Sequence, residues 1–477
     1  MFDMENTLNR AYREFKDNSF VSGKKDGKSY SITYGDFIDK TRSTAKALIN
    51  KGLSGKRIII FGENSINYMI SDLAVFAFVG VSVNINHQTK KEELCSIISR
   101  LNAKAVLYDS KKDDIIQSIR HNFDNICFLC MNDIIPEKSE KADDPPPVKK
   151  DENACSKIIF SSGTTHNPKG IMLSLKNMLS GIVPFQKRIK FSENDILYLF
   201  IPLHHTYANI YNFLYSFFSG CQIYLCSKTE NIAKELLEVN PTVLCGVPMT
   251  YKKIYELSKD NLKNAFGNRI RYLFTGGAVL ESEIKKAYKQ SGLYLLDAYA
   301  MTETASSFSI EYPNLDDFES VGTVFENISV KILNPDENGI GSITVKGDNV
   351  FLGYAENDEL TKASFTDDGY FITGDYGYLS GNKLYLCGRK QNIIIGENGE
   401  NVYPEEVEKT LKKYSNDIIK LKAFLDNGKV NYRIYLKKDS CIDIDSIISD
   451  YNMKSAKKDR IILYTTFDES HLNFKNT

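Results

Sequence analysis

The sequence predicts a layered α/β fold: a large N-terminal domain of mostly parallel sheets with a small β-subdomain, followed by a small α+β domain. Three observations predict it. Strand-like and helix-like segments alternate over the first three quarters of the chain. From about Val321 the texture changes to short strands broken by Gly339, Gly341, Gly347 and Gly353. The length, 477 residues, exceeds one ordinary core and suggests several domains of roughly 100–200 residues each.

The elements follow in order. Arg57–Phe61 is a β-branched run, Asn64-Ser65 offers an N-cap, an apolar-periodic stretch reaches Val79, Gly80 stops it, and Val81–Ile85 is strand-like again: a βαβ unit. Further strands are expected at Ala103–Tyr108, Ile126–Met131, Lys157–Phe160, Ile196–Ile201, Cys221–Leu225, Thr242–Val247, Ile270–Phe274 and Leu293–Leu296. Helices are expected at Glu230–Val239, Glu281–Gly292, Tyr403–Lys413 and Ile442–Tyr451. Pro136–Asn153, holding Pro145-Pro-Pro147 among charges, reads as an exposed connector. A domain boundary near Gly388 divides the chain into residues 1–387 and 388–477.

Composition excludes several classes. Apolar residues make up 42% and charged residues 25%, as in globular proteins, and the formal charge is −1. That balance gives no electrostatic reason to expect a nucleic-acid partner. The longest apolar stretch, Leu73–Val83, falls short of the ~20 residues of a membrane helix, so no integral membrane association is expected. The acidic start, Met1-Phe-Asp-Met-Glu, lacks the order of a signal peptide, and a cytoplasmic location is expected. Nine cysteines at uneven spacing fit reduced thiols, and Cys127 and Cys130 in an apolar strand are expected to be buried in the core rather than to hold zinc.

The sharpest local signal is Ile158-Ile-Phe-Ser-Ser-Gly-Thr-Thr-His-Asn-Pro-Lys-Gly-Ile171. A buried strand runs into a loop whose Gly163 lets backbone N–H groups face inward, as in a nest that cradles an anion. Ser161, Ser162, Thr164 and Thr165 add hydroxyl donors, and Lys169 adds a point charge. That chemistry fits a polyphosphate. The order G-x-x-x-x-G-K-[ST] is absent, so this is not a P-loop.

The same segment resembles the S-G-T-T-G-x-P-K-G loop of the adenylate-forming superfamily, which includes acyl-CoA synthetases, luciferases and peptide-synthetase adenylation domains. Further resemblances follow in the family's order, from about Tyr34 to the C-terminus. They are Pro202-Leu-His-His205, Thr275-Gly-Gly-Ala278, Tyr299-Ala-Met-Thr-Glu303, Thr373-Gly-Asp375, Gly388-Arg-Lys390 and Asn398-Gly-Glu-Asn-Val-Tyr-Pro-Glu-Glu406.

The resemblance implies ATP, Mg²⁺ and coenzyme A as cofactors and a small-molecule carboxylic acid as substrate. The acid attacks the α-phosphate of ATP, and a thiol then displaces AMP from the acyl-adenylate. Glu303 is a hard oxygen ligand for Mg²⁺, and Thr302 donates to a phosphate oxygen. Gly276, Gly277 and Ala278 lie near the nucleotide, Tyr299 offers its ring to adenine, Asp375 accepts from the ribose, and Arg389 brings donors from the domain boundary. His205 and Tyr207 fall at the acid pocket. His204 and His205 are not read as a metal pair, because adjacent side chains diverge on a helix or a strand. Lys475 stands where the family has its catalytic lysine, in a small domain that swings between two poses.

The sequence also departs from the pattern. His166 replaces the last Gly of the phosphate loop, Ala300 replaces the Gly of Y-G-x-T-E, and Gln391 stands at the hinge, where Asp or Lys is usual. Glu469, His471 and Phe474 replace the Pro, Thr and Gly before the terminal lysine, and the small domain is short. Thr206–Asn212 carries no aspartate to hold an α-ammonium, so the chain looks most like fatty acyl-CoA synthetases. The aromatic run Tyr207–Phe218 fits both an acyl-tunnel lining and a buried core helix. Transfer to an acyl carrier protein's phosphopantetheine, and a nucleotide-binding scaffold without catalysis, are the alternatives.

Overall fold

A computed structural model of the chain describes residues 4–138, 151–161, 168–278, 280–305, 307–313, 317–395, 401–426, 429–455 and 460–472. The chain divides into two compact units. One holds the residues up to Ser329 together with Lys346–Phe371, the other Val330–Val345 together with the residues from Ile372.

In the first unit, helix α1 (Met4–Phe15) precedes a hairpin of β1 (Ser19–Lys25) and β2 (Lys28–Thr33). The Thr33 hydroxyl then caps α2 (Tyr34–Asn50). Strand β3 (Arg57–Phe61) follows, and the Ser65 hydroxyl caps α3 (Ile66–Ala74), accepting from the Tyr68 N–H at 3.1 Å. The helix runs on into a π-helical turn, Val75–Val79. Gly80 ends it at a close crossing, where a Cβ would stand 2.1 Å from the Lys56 carbonyl oxygen. Strand β4 (Val81–Asn84) completes the expected βαβ unit, parallel to β3.

Strands β5 (Ala105–Tyr108), β6 (Cys127–Cys130), β7 (Cys155–Ser161) and β8 (Lys169–Ser174) build the rest of this sheet. Ile58–Phe61 are all fully buried, the continuous apolar run of a strand covered on both faces. Cys127 and Cys130 are half-buried rather than buried as expected, because β6 is the sheet's edge strand.

The second sheet uses β9 (Ile196–Leu199), β10 (Gln222–Leu225), β11 (Val243–Gly246), β12 (Tyr272–Gly276), β13 (Leu295–Ala300), β14 (Ser307–Ile310) and β15 (Thr323–Val324). Its order in this unit is β2-β1-β10-β9-β11-β12-β13-β14-β15, with β1, β10, β9, β11, β12 and β13 parallel. A core of Tyr198, Leu244, Tyr251, Leu273, Ile284 and Tyr288 lies under one face. The aromatic run is a buried π-helix, Tyr207–Tyr215, continued by Ser216–Ser219.

Strands β16 (Ser329–Leu333) and β17 (Gly341–Lys346) lead to β18 (Gly353–Tyr354), which returns to the first sheet to pair with β8. That sheet's order is β18-β8-β7-β4-β3-β5-β6.

In the second unit, β19 (Phe371–Ser380) and β20 (Lys383–Arg389) form an antiparallel hairpin, and helix Pro404–Lys412 packs on β20. A separate sheet of Ile418–Asp426, Lys429–Leu436 and Leu463–Asp468 carries its own core, including Val407, Leu411, Ile434 and Tyr451. Packing of helix Pro404–Lys412 draws the β19–β20 hairpin into the second unit.

Candidate active site

Strands β7 and β8 pair antiparallel up to Ser161↔Lys169. The hydroxyl-rich loop therefore closes a β-hairpin, while Ser162, Gly163, Thr164, Thr165 and His166 themselves lie outside the described residues. Its base is tightly packed. A Cβ on Gly170 would stand 3.2–3.3 Å from Ile158, Ala355 and Phe160, and an Arg100 Nη2 donates to the Pro168 carbonyl at 3.0 Å.

Lys169 opens β8 with its Nζ 5.3 Å from the centre of the Tyr354 ring. The Tyr354 hydroxyl donates to Glu303 Oε1 at 3.0 Å, and the Phe351 N–H donates to the Glu303 carbonyl at 2.8 Å. Burial and the adjacent Glu303 carboxylate push the Tyr354 phenol well above its ordinary pKa, so it stays a hydrogen-bond donor. Sequence reasoning missed Tyr354. Its only local signal is a Gly-Tyr pair in a two-residue strand, and β8 recruits it by pairing Tyr354↔Ile171.

Glu303 sits on a 3₁₀ turn, Thr302–Thr304, directly after β13. The Thr304 hydroxyl accepts from the Met301 N–H at 3.1 Å, and Ala305 turns the chain into β14 at φ +57°. Thr302 and Glu303 are half-buried. One strand over, β12 ends in Gly276-Gly277, with Gly276 in register with Ala298. Gly277 adopts φ +83° and a Cβ there would meet nothing within 4 Å, so the backbone is both left-handed and openly approachable. Ala278 is exposed beside it. These groups gather at the C-terminal ends of parallel strands, where α/β sheets bind ligands. The Tyr299 ring is buried edge-on to Phe308 with centroids 4.9 Å apart.

The stretch after β9, residues 201–205, is a turn leading into the helix that begins at Thr206. Because it is neither helix nor strand, the His204 and His205 rings do not diverge as expected but lie 4.2 Å apart, with His87 6.0 Å from His204. Among the described residues no group of three or more His, Cys, Asp or Glu side chains fits a metal. Burial, then His205 and His87, push His204 down to about 3, so it is neutral at physiological pH. His205 is exposed, and the Tyr207 hydroxyl donates to the Phe274 carbonyl on β12 at 3.4 Å. Tyr251 donates to the same carbonyl at 2.8 Å.

In the second unit, Asp375 and Arg389 face each other across the β19–β20 hairpin, Oδ1 to Nε 3.6 Å. The Asp375 N–H donates to the Thr373 hydroxyl at 3.1 Å, and that hydroxyl donates to the Ile343 carbonyl at 2.8 Å. Lys475, Asn398, Gly399 and Glu400 lie outside the described residues.

Residues 8–355 match the family described as AMP-binding enzyme. The long-chain-fatty-acid–CoA ligase ACSBG2 of Xenopus laevis is 24% identical over 490 residues, 85% of this chain and 66% of that protein. The long-chain-fatty-acid–CoA ligase 2 of Schizosaccharomyces pombe is 26% identical over 367 residues, 64% of this chain and 52% of that protein. The chain thus spans two thirds or less of the length of these curated relatives. Among solved structures, ATP-bound MatB from Rhodopseudomonas palustris superposes with a TM-score of 0.83 at 25% identity, over 97% of this chain and 94% of that one. MenE from Bacillus subtilis, in complex with ATP and a magnesium ion, shares the fold at a TM-score of 0.79 and 20% identity. No helix of the described residues is long and apolar enough to cross a membrane.

Proposed function

The chain belongs to the AMP-binding enzyme family, and from that premise we propose that it activates a carboxylic acid with ATP and passes the acyl group to a thiol. An oxygen of the acid attacks the α-phosphorus of ATP, and the bond to pyrophosphate breaks. The thiolate then attacks the acyl carbonyl, and AMP leaves. The observation that carries this reading is the convergence of Lys169 and Glu303 on Tyr354 at the base of the hydroxyl-rich hairpin. It brings a cation and a carboxylate to the same tyrosine, a pair of charges suited to a polyphosphate and its metal ion.

In this reading Ser161, Ser162, Gly163, Thr164 and Thr165 cradle the phosphates with Lys169. Glu303 and Thr302 fit Mg²⁺ in the way that ion is usually held, by one or two carboxylates plus phosphate oxygens rather than by an all-protein cage. The ion would neutralise phosphate charge as the acid's oxygen approaches. The backbone at Gly276, Gly277 and Ala278, together with Tyr299, receives the adenosine side. Asp375 accepts from the ribose beside Arg389, and His205 and Tyr207 flank the acid. Lys475 supplies charge during adenylation, and we place the moving boundary of the small domain at residues 387 and 388.

The relatives named as long-chain-fatty-acid ligases, together with the absence of an acidic residue in Thr206–Asn212, support a fatty or other non-amino acid as substrate and a role in fatty acid metabolism. Coenzyme A is the proposed acceptor, with a carrier protein's phosphopantetheine as the second reading. The test is acid-dependent pyrophosphate release across a panel of carboxylic acids, followed by thioester formation with coenzyme A or carrier protein. ATP binding without pyrophosphate release from any acid would overturn the enzymatic reading in favour of a nucleotide-binding scaffold.

A further inference from the structure

The first unit hides a charge that the proposed chemistry does not use. Lys157, at the middle of β7, is 0% exposed, and its partner Asp72, near the end of α3, is 1% exposed. Lys157 Nζ lies 2.7 and 2.6 Å from the two Asp72 oxygens. Oδ1 also accepts from the Ser82 hydroxyl at 2.5 Å and from Asn84 Nδ2 at 3.1 Å, and Oδ2 accepts from Asn209 Nδ2 at 2.9 Å. Burial opposes the charge on Asp72, but the ammonium and these donors outweigh it and hold the carboxyl below its ordinary range.

A buried ion pair is weak evidence for stability, because apolar residues of similar volume pack as well or better. What this one connects is more informative. Lys157 sits on the strand that runs into the hydroxyl-rich loop. Asn209 sits on the π-helix that carries Tyr207, and its Nδ2 also donates to the Leu203 carbonyl at 3.1 Å. The other end of the same segment is held just before α3, where Asn64 Oδ1 accepts from the Leu203 N–H at 2.7 Å and Asn64 Nδ2 donates to the Ile201 carbonyl at 2.9 Å. Residues 201–209, which hold His205 and Tyr207, are thereby fastened to both ends of one helix. That helix is fastened through Asp72 to the strand feeding the phosphate loop. Two π-helices adjoin this network: Val75–Val79 follows α3, and Tyr207–Tyr215 contains Asn209. Such turns are often found at functional sites.

We propose that Asp72 and Asn209 are positioning residues for the reaction proposed above, holding the acid-side segment 201–209 in fixed register with the phosphate hairpin through Lys157. They touch no substrate. Adenylation needs the acid's oxygen in line with the α-phosphorus, so slack between these two segments falls on acid binding and orientation, not on ATP binding.

The test is Asn209→Leu, which removes the cross-link at similar volume and leaves the Lys157–Asp72 pair intact. A second variant, Asp72→Leu with Lys157→Met, removes both charges together so that neither is left buried alone. Both should raise the half-saturating acid concentration for pyrophosphate release at least tenfold. ATP affinity, measured by calorimetry without acid, should change less than twofold. Independently of activity, amide hydrogen exchange at residues 203–209 should speed up at least tenfold while β7 and β8 keep their protection. Unchanged exchange and unchanged acid dependence in folded variants would overturn the positioning role, as would a parallel loss of acid and ATP binding, which marks a purely structural role. A wild-type protein that releases no pyrophosphate with any acid would overturn the functional reading on which this role rests, whereas an active wild type with an unaltered Asn209→Leu variant would overturn the positioning role alone.

Discussion

Glu303 combines a half-buried carboxylate held by the Tyr354 hydroxyl with a backbone carbonyl that accepts from the Phe351 N–H. If it holds Mg²⁺ against phosphate, Glu303→Gln keeps the shape and the Tyr354 contact but removes the charge. Adenylation should fall about 10²–10³-fold, the scale of one lost transition-state stabiliser, with the melting temperature little changed. A Mg²⁺ titration of pyrophosphate release checks this, and an unaltered Mg²⁺ dependence would refute the assignment. At His166 the expectation is the reverse. If the cradle is made by backbone donors, the imidazole points away from it, and His166→Gly should change turnover by less than about tenfold, under ~1.4 kcal/mol. A larger loss in steady-state rates would give the ring a role in the loop.

At the scale of elements, one junction couples stability to pH. Helix Ser282–Gln290 brings Lys285 between Asp297 on β13 and Glu311 just beyond β14, at 3.3 and 3.2 Å, so two buried carboxyls share one ammonium. Burial, reinforced by Asp297, pushes Glu311 from an ordinary 4.5 up to about 7 despite Lys285. A folded pKa above the unfolded one means that folding takes up a proton between these values. The stabilising contribution is full below pH 4.5 and is lost as pH rises through 7. Glu311→Gln, which cannot ionise, should therefore flatten the fall of melting temperature between pH 5 and 8. Thermal melts across that range decide it, and an unchanged slope would place the titration elsewhere.

At the scale of the whole molecule, the moving boundary proposed above would let one small domain serve both half-reactions. An ammonium near the α-phosphate helps only while charge develops there. Lys475→Ala should abolish acyl-adenylate formation from acid and ATP yet form thioester from pre-made acyl-adenylate at near wild-type rate. Equal loss in both would assign the tail to folding or docking. Much of this architecture was legible beforehand. Arg57–Phe61, Val81–Asn84 and Val243–Gly246 fell where strands were expected, and Ser65 and Gly80 bounded a helical stretch, because burial on both faces and capping chemistry are local properties of residue order. Order along the chain also sufficed for the family. Other features were decided only by tertiary packing. Tyr354 reaches Glu303 because a two-residue strand finds its partner in β8, and the two histidines meet because the segment between β9 and the π-helix is a turn. The carboxylate of Asp72 is tolerable only because Lys157, Ser82, Asn84 and Asn209 converge on it from distant parts of the chain. Periodicity reports which face of an element is buried, but a hydrogen bond between remote side chains depends on distances that exist only after the sheets have packed.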